Sequence, residues 1–213
     1  MHQSAKISRR RKLYGGFLCL VLLAGMTGIM NQWARRYETV CDDGFYGETL
    51  LSIGLIRPLI TEEIKRFPVE ADDSRCVFED SFLEERTYGG ERQHYGTDLM
   101  DAWNSRGALP VRSMTSGIVS KMGWNERGGW RVGITSSSGI YYYYAHLDSY
   151  ARYLKEGDFV QPGQLLGYMG DSGYGEEGTV GQFAVHLHLG IQVYPASEDN
   201  GWVNPYPYLH QIR

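Results

Sequence analysis

The sequence contains only three cysteines, and their spacing limits the chemistry that they could support. Cys41 and Cys76 are the only two outside the apolar stretch near the amino terminus, and they lack the close spacing of a cysteine-based zinc site. The chain also shows no internal repeat and no low-complexity tract. A cysteine zinc module is therefore excluded, whereas a disulfide between Cys41 and Cys76 and two unpaired buried thiols both stay open.

Acidic residues are absent from the first 36 positions, which carry seven Lys and Arg residues. Residues 37–213 hold 14 Lys and Arg residues against 25 Asp and Glu residues, which gives this part of the chain a net charge of −11. Because this excess of acid repels a phosphate backbone, we expect no nucleic-acid partner. The length of 213 residues has room for one substantial domain and an appendage.

The amino-terminal region has the pattern of a membrane segment. Five basic residues precede residues 13–30, an uncharged stretch of 18 residues. This length is about the minimum for a helix that crosses a bilayer, and the basic excess before it places the amino end inside the cell. We predict that residues 1–36 form a cytoplasmic basic tail and a signal anchor, so that the protein is a single-pass membrane protein with residues 37–213 outside. Secretion after signal cleavage is the alternative.

Residues 37–76 are predicted to form a short helical stalk or linker. An apolar cluster in residues 50–55 precedes Pro58, and Thr61 offers an N-cap before Glu62 and Glu63. We therefore expect a helix that begins at Thr61.

From about residue 77 the pattern changes to short β runs separated by glycine. The intervals are too short for crossover helices, so we predict a mainly β, antiparallel domain over residues 77–213. The candidate strands are residues 109–113, 117–122, 130–135, 140–146, 164–169 and 185–193.

Four histidines and one aspartate carry the candidate chemistry. Residues 185–193 alternate apolar and other residues, so His186 and His188 share the face of a strand opposite to its apolar face. His94 and Asp98 form a His-x-x-x-Asp motif in a loop that leads into a strand. His146 closes a run of four tyrosines at residues 141–144.

This set of residues favours zinc. A hydrolytic zinc site takes three ligands from His and Asp or Glu and keeps a fourth position for water. His94, Asp98 and one of the paired histidines could supply these ligands. The motifs contain no cysteine or methionine, which disfavours copper(I) and iron–sulfur sites. The two remaining histidines could act as acid–base groups or stabilise an oxyanion.

The order of the motifs resembles that of the lysostaphin/LytM-type zinc endopeptidases, bacterial enzymes that cut peptide bonds in peptidoglycan. The resemblance covers about residues 78–209. The matching motifs are His94-x-Gly96-x-Asp98, Gly107-x-x-Pro110-Val111, Gly117-x-Val119, Tyr144-Ala145-His146-Leu147, Gly157-Asp158-x-Val160-x-x-Gly163-Gln164, His186-Leu187-His188 and Val203-Asn204-Pro205.

The resemblance implies a mostly antiparallel β fold with its site in a groove. It also implies that His94, Asp98 and His188 hold Zn²⁺, while His146 and His186 form a catalytic pair that orients or deprotonates the water and stabilises the oxyanion. Residues 171–185 depart from the family's pattern, as they are longer and more acidic than usual, and so does the Leu189-Gly190 pair after His188.

The expected function is that of a membrane-anchored, extracytoplasmic zinc metalloendopeptidase that cuts a cross-bridge or stem peptide of peptidoglycan. The alternative is a non-catalytic scaffold or activator of another cell-wall hydrolase, since related domains can serve as partners after losing ligands. Retention of all five site residues favours the enzyme. The departures in residues 171–185 flank the expected groove, so they bear on substrate preference. The sequence does not identify a protein partner.

Overall fold

The computed structural model describes residues 56–87, 90–193 and 201–213. The expected signal anchor, Cys41 and the apolar cluster in residues 50–55 lie outside these ranges. Within the ranges, no helix is both long enough and apolar enough to cross a bilayer.

The described residues form a β domain with one short helix at each end, α1 (Ile56–Glu63) and α2 (Tyr206–Ile212). The strands between them are β1 (Cys76–Phe78), β2 (Glu85–Arg86), β3 (Arg92–Gln93), β4 (Thr97–Asp101), β5 (Pro110–Arg112), β6 (Gly117–Asn125), β7 (Gly129–Thr135), β8 (Tyr141–Tyr150), β9 (Phe159–Val160), β10 (Leu165–Met169), β11 (His186–Gln192) and β12 (Trp202–Val203). All of the strand pairs in these ranges are antiparallel, which confirms the predicted fold class.

The main sheet has the order β1-β4-β11-β8-β7-β6-β9. Strand β10 pairs with β5 and β8, β12 pairs with β11, and β2 and β3 form a separate hairpin. The six candidate strands from the sequence correspond to β5, β6, β7, β8, β10 and β11. Because β4 lies beside β11, the histidines of β11 meet a strand that begins just after the loop of His94.

The core lies on one face of the central strands. Tyr142 and Tyr144 of β8 are fully buried, as are Leu187, Leu189 and Ile191 of β11. Side chains alternate between the two faces of a strand, so burial of these residues turns their neighbours to the opposite face. The face opposite to the core therefore carries the functional side chains.

The expected helix start at Thr61 is wrong. Helix α1 begins at Ile56 and ends at Glu63, so Thr61 lies in its last turns, where its hydroxyl donates to the carbonyl of Arg57 at 2.9 Å. Pro58 lies in the first turn, where its missing N–H costs no hydrogen bond, so the helix passes through it. Ile56 and Ile60 are buried.

Residues 64–76, which the sequence suggests as stalk or linker, pack on the sheet. The amide of Lys65 donates to the carbonyl of Met114 at 2.9 Å, and Val69 forms a bridge with Val111. Cys76 is buried and pairs with Asp101 at the start of β1. The boundary expected at residue 77 therefore falls inside a continuous packed region, because these contacts join residues about 25 to 50 positions apart and leave no local pattern.

A buried carboxylate joins the region before β1 to β4. Asp101, whose side chain is fully buried, accepts hydrogen bonds from Arg75 Nε at 3.1 Å, from the amide of Trp103 at 3.1 Å and from the amide of Ser105 at 2.9 Å. Removing one member of a buried ion pair leaves the other charge uncompensated.

We expect Asp101→Ala to lower the free energy of unfolding by about 3 kcal/mol, since three donors lose their acceptor. Urea unfolding of the chain measures the change. Asp73→Ala is the matched control, because the Asp73 carboxylate pairs with Arg213 at 2.6 Å while its side chain is 90% exposed. Such a surface pair contributes little, so an equal loss in the two variants would contradict the assignment.

Candidate functional site

The pairing of β4 with β11 brings the first two site residues together. His188 lies directly opposite Asp98 in this register, and residues opposite each other in an antiparallel pair point to the same face. Nδ1 of His188 lies 3.0 Å from Oδ1 of Asp98. The structure thus joins two residues that are 90 positions apart in the sequence.

His94 reaches the same point from the loop before β4. Its carbonyl accepts from the amide of Leu83, and its amide donates to the carbonyl of Glu84 at 2.9 Å, so its backbone is held against residues 83–84. Nε2 of His94 lies 3.0 Å from Oδ1 of Asp98 and 2.9 Å from Nδ1 of His188. Three potential ligand atoms therefore converge, and His94, Asp98 and His188 form a cluster able to hold a metal ion.

The protonation of His94 suits a metal ligand. Nδ1 lies 2.8 Å from the carbonyl oxygen of Ser81, and a carbonyl only accepts, so Nδ1 carries the proton and Nε2 carries a lone pair. A metal-binding histidine commonly donates its other N–H in this way. The second oxygen of Asp98 accepts from Arg86 Nη2 at 3.3 Å.

The donor set fits zinc in chemistry and in size. Two imidazole nitrogens and one carboxylate oxygen are ligands that Zn²⁺ accepts, with about 2.0–2.2 Å from donor to ion. Tetrahedral donors at that distance are about 3.3–3.6 Å apart, and the three atoms here are 2.9–3.0 Å apart. Lone pairs that face one another at this distance repel unless a cation or proton lies between them, so a cation would relieve the arrangement.

Gly96 allows the imidazole of His188 to approach β4. A Cβ at this position would lie 2.5 Å from Cε1 of His188 and 2.6 Å from the carbonyl oxygen of Leu189. Real Cβ atoms do not approach so closely, so any larger residue would push the ring or the strand aside. The lack of space for a side chain therefore explains the glycine in the His94-x-Gly96-x-Asp98 motif.

A β-bulge turns His146 into the groove. Between β7 and β8, Val132 pairs with Tyr144 and Trp130 pairs with Leu147, so one residue of β7 faces two residues of β8. His146 is one of these two residues and has a φ of 60°. Simple alternation from Tyr143 would send His146 to the core face, whereas the extra residue brings it to the groove face.

The two histidines expected as a catalytic pair lie beside the cluster. The ring centroids of His146 and His186 are 4.7 Å apart, and Nε2 of His186 lies 3.7 Å from Oδ1 of Asp98. Nδ1 of His146 donates to the carbonyl of Ser172 at 2.7 Å, and Nδ1 of His186 donates to the carbonyl of Ala184 at 2.7 Å. Each Nε2 is therefore left as an acceptor.

Burial affects the protonation of this group. Burial lowers the pKa of His146 well below its usual value, and the neighbouring imidazoles of His186 and His188 lower it further. Burial would raise the pKa of Asp98, but hydrogen bonds with His188 and His94 outweigh burial and hold that pKa below its usual value. At neutral pH the site therefore contains an ionised carboxylate and a neutral His146.

Ser172 supports His146 from behind. Its side chain is fully buried, its hydroxyl donates to the carbonyl of Leu147 at 2.7 Å, and the same oxygen accepts from the amide of Trp130 at 3.0 Å. These bonds tie the loop after β10 to β7 and β8. The carbonyl that orients His146 is therefore held by the sheet.

A groove of about 810 Å³ runs over the cluster. Residues 171–185 contribute Tyr174 and Phe183 to its wall: Tyr174 stacks on His146 with centroids 5.9 Å apart, and Phe183 meets His146 edge to face at 4.7 Å. Glu176 and Glu177, which make this segment acidic, are exposed and do not line the groove. The segment thus adds aromatic surface to the site.

The basic residues of the groove belong to none of the motifs in the sequence. Five of them line it: Arg86, Arg92, Lys121, Arg127 and Arg131. The alternation of side chains in β7 predicts the position of Arg131. Because Val132 and Ile134 are buried, Arg131 must face the opposite side of the sheet. Arg86, Arg92 and Arg127 lie in a short hairpin or a turn, where alternation is too brief to use. Lys121 lies in β6 just after an irregularity in its register with β7, which interrupts the alternation.

The match to a family model covers residues 92–205, and the model is described as peptidase family M23. An L-Ala–D-Glu endopeptidase of Bacillus subtilis (strain 168) is 41% identical over 186 residues, which are 85% of this chain and 52% of that protein. Lysostaphin of Staphylococcus simulans is 32% identical over 118 residues, which are 54% of this chain and 21% of that protein. The chain thus spans about half or less of the length of these two relatives.

Two solved structures are similar in fold and sequence. A Ruminococcus gnavus ATCC 29149 chain, described as a LytM glycyl-glycine endopeptidase, has a TM-score of 0.63 and 53% identity over 71% of this chain and 61% of that one. The catalytic domain of lysostaphin from Staphylococcus simulans has a TM-score of 0.51 and 28% identity over 63% of this chain and 92% of that domain.

We expect Gly96→Ala to reduce bound zinc well below one ion per chain, because the new methyl group displaces the ring of His188. Metal analysis of the purified chain after dialysis measures the content. Gly178→Ala is the control for backbone strain alone, because Gly178 has a φ of +95°, which is unfavourable for alanine, but a Cβ there would meet nothing within 4 Å. Strain alone costs about 1 kcal/mol and should leave the zinc in place; full zinc content in Gly96→Ala would refute the steric argument.

Proposed function

The chain belongs to peptidase family M23, and from this membership we propose that it is a zinc endopeptidase that hydrolyses peptide bonds of peptidoglycan. The observation that carries the proposal is the convergence of His94 Nε2, Asp98 Oδ1 and His188 Nδ1 within 2.9–3.0 Å of one another. These three residues would hold Zn²⁺. When bound, the ion supplies a water of lowered pKa and polarises the scissile carbonyl.

His146 and His186 would move the proton. Their Nδ1 atoms donate to backbone carbonyls, which leaves each Nε2 able to accept a proton from the attacking water. Because the pKa of His146 is held low, this ring is neutral and ready to accept at physiological pH. A ring that has gained the proton can then stabilise the developing oxyanion and return the proton to the leaving amine.

Peptidoglycan peptides are the substrate that best agrees with the relatives. The Bacillus subtilis relative, which matches 85% of this chain, is an L-Ala–D-Glu endopeptidase. The proposed substrate is a stem peptide or cross-bridge, and the groove of about 810 Å³ over the cluster provides space for a peptide.

The proposed location is the cell membrane, with residues 37–213 outside the cytoplasm. The support is the one-sided charge around residues 13–30, with five basic residues before them and no acidic residue in the first 36 positions. Release after signal cleavage is the second possibility, and the amino-terminal sequence of the mature protein distinguishes the two.

A non-catalytic scaffold or activator of another hydrolase is the second candidate function. Loss of a ligand would favour it, but all five site residues are present and lie together. An enzyme therefore requires fewer assumptions, since a scaffold has no need for two oriented histidines beside a metal cluster.

Digestion of purified peptidoglycan tests the function directly. We expect the full chain to release fragments with new amino termini, identified by mass spectrometry, and we expect EDTA to abolish the release. A chain that holds zinc but releases nothing from several wall types, while its loss from cells still impairs the wall, would support the scaffold.

Substitutions separate the ligands from the catalytic pair. We expect Asp98→Ala to lose both zinc and activity, whereas His186→Ala keeps the zinc and loses about 10²–10⁴-fold in kcat, which is the usual contribution of a general acid or base. Metal analysis and peptide hydrolysis measure the two effects. His210→Ala is the control, because His210 is exposed on α2 and does not line the groove; zinc loss in His186→Ala would contradict the assignment of roles.

A further inference from the structure

The groove is basic although the chain around it is acidic. Five of the 14 Lys and Arg residues in positions 37–213 line the groove, whereas Asp98 alone of the 25 acidic residues does so in the part of the chain that the structure describes. A cleft lined by one sign of charge concentrates ligands of the opposite sign. The groove therefore favours an anionic ligand.

Two of these basic side chains already have partners near the cluster. Nη2 of Arg86 lies 3.3 Å from Asp98 Oδ2 and 3.4 Å from Glu84 Oε2. Arg92 donates a hydrogen bond to the hydroxyl of Tyr174. These two arginines thus support the site itself.

The other three, Lys121, Arg127 and Arg131, form no ion pair with a carboxylate of residues 56–87, 90–193 or 201–213. Nη1 of Arg131 is buried and has no hydrogen-bond partner within those same ranges. A guanidinium that is partly removed from water without an acceptor is unfavourable. The guanidinium of Arg131 would therefore be stabilised by an acceptor of negative charge, and a carboxylate bound in the groove would supply one.

Lys121 and Arg131 flank a part of the sheet that is open above Gly123. Lys121 pairs with Gly133 and Arg131 pairs with Gly123, so the four residues share one face and the two glycines place no side chain between the cations. A Cβ on Gly123 would meet nothing within 4 Å. The space above this glycine is therefore open to a ligand.

Tyr141 completes this surface without adding negative charge. Its hydroxyl lies against Gly133, where a Cβ would collide with it. Burial raises the pKa of Tyr141 to about 12, so the hydroxyl stays protonated at physiological pH. The surface thus offers cations and a neutral hydroxyl.

This basic surface lies within reach of a substrate bound at the cluster. In the sheet, β7 is separated from β11 by β8 alone. Two strand spacings are roughly 10 Å, which is the length of about three extended residues.

We propose that the substrate is an acidic peptide with a free carboxylate within about three residues of the scissile bond, and that Arg131, assisted by Lys121 and Arg127, binds this carboxylate. The inference rests on the proposed function, because it names the substrate class of the same groove. Arginine forms short, charge-assisted hydrogen bonds with carboxylates. A neutral glycine peptide would leave Arg131 without a partner, so the groove selects acidic stem peptides over glycine bridges.

Equilibrium binding with a matched pair of peptides tests the proposal. The probes are an N-acetylated tetrapeptide that begins L-Ala–D-Glu, with free carboxylates, and the same peptide with every carboxylate amidated. The full zinc-loaded chain carries His186→Ala in all measurements to slow hydrolysis. We expect the acidic peptide to bind roughly tenfold more tightly than the amide, and we expect the ratio to shrink in high salt.

Substitutions then identify the side chains that cause the preference for the acidic peptide over the amide. Arg131→Gln should bring the ratio close to one, Arg131→Lys should restore part of it, and the amide's own affinity should change little. Arg152→Gln is the control, since Arg152 packs on exposed Tyr153 away from the groove and should leave the ratio unchanged. If Arg131→Gln does not fold, the Lys121→Gln/Arg127→Gln variant, which changes two exposed side chains, should still lower the ratio several-fold.

Two results would overturn the proposal: equal binding of the two peptides to the chain that carries His186→Ala alone, or an unchanged ratio when Arg131→Gln is added. The proposed function fails by a different result, namely that zinc-loaded chain with His186 intact cleaves neither peptide and releases nothing from peptidoglycan. Because binding is measured without turnover, the two failures are distinguishable.

Discussion

The register between β4 and β11 is the constraint on which the candidate site depends. It places Asp98 opposite His188 on the groove face, while Leu99, Leu187 and Leu189 are buried on the other face. A slip by one residue would exchange the two faces, which would bury the ligands and expose the leucines. The packing of the hydrophobic core therefore also determines the geometry of the metal cluster.

Backbone carbonyls then orient the imidazoles within this frame. His94, His146 and His186 each donate Nδ1–H to a carbonyl oxygen, from Ser81, Ser172 and Ala184. A carbonyl oxygen only accepts, so it selects the neutral tautomer that carries its proton on Nδ1. The Nε2 lone pair of each of these three histidines thus faces the groove. The same backbone hydrogen bond orients a metal ligand, His94, and two proton acceptors, His146 and His186.

Charge is distributed unevenly between the groove and the rest of the domain. Glu176 and Glu177 are exposed outside the groove, while the groove gathers basic side chains around Asp98, its one carboxylate among the residues that the structure describes. The net charge of the chain therefore indicates which partners suit its outer surface, but not which ligands suit the groove. The charge of Arg131 acts strongly on a ligand in the groove, because partial burial reduces the screening of that charge by water.

Short-range patterns were sufficient for part of this description. The alternation in residues 185–193 determined that His186 and His188 share the face opposite to the core, because the period of a strand is a local property. The order of the motifs likewise indicated His94, Asp98 and His146. Only the tertiary structure decided that a bulge turns His146 into the groove, and that Arg131 lies there with no ion pair to any carboxylate that the structure describes. Each of these depends on which strands and loops meet across tens of residues, and no local pattern in the chain encodes those meetings.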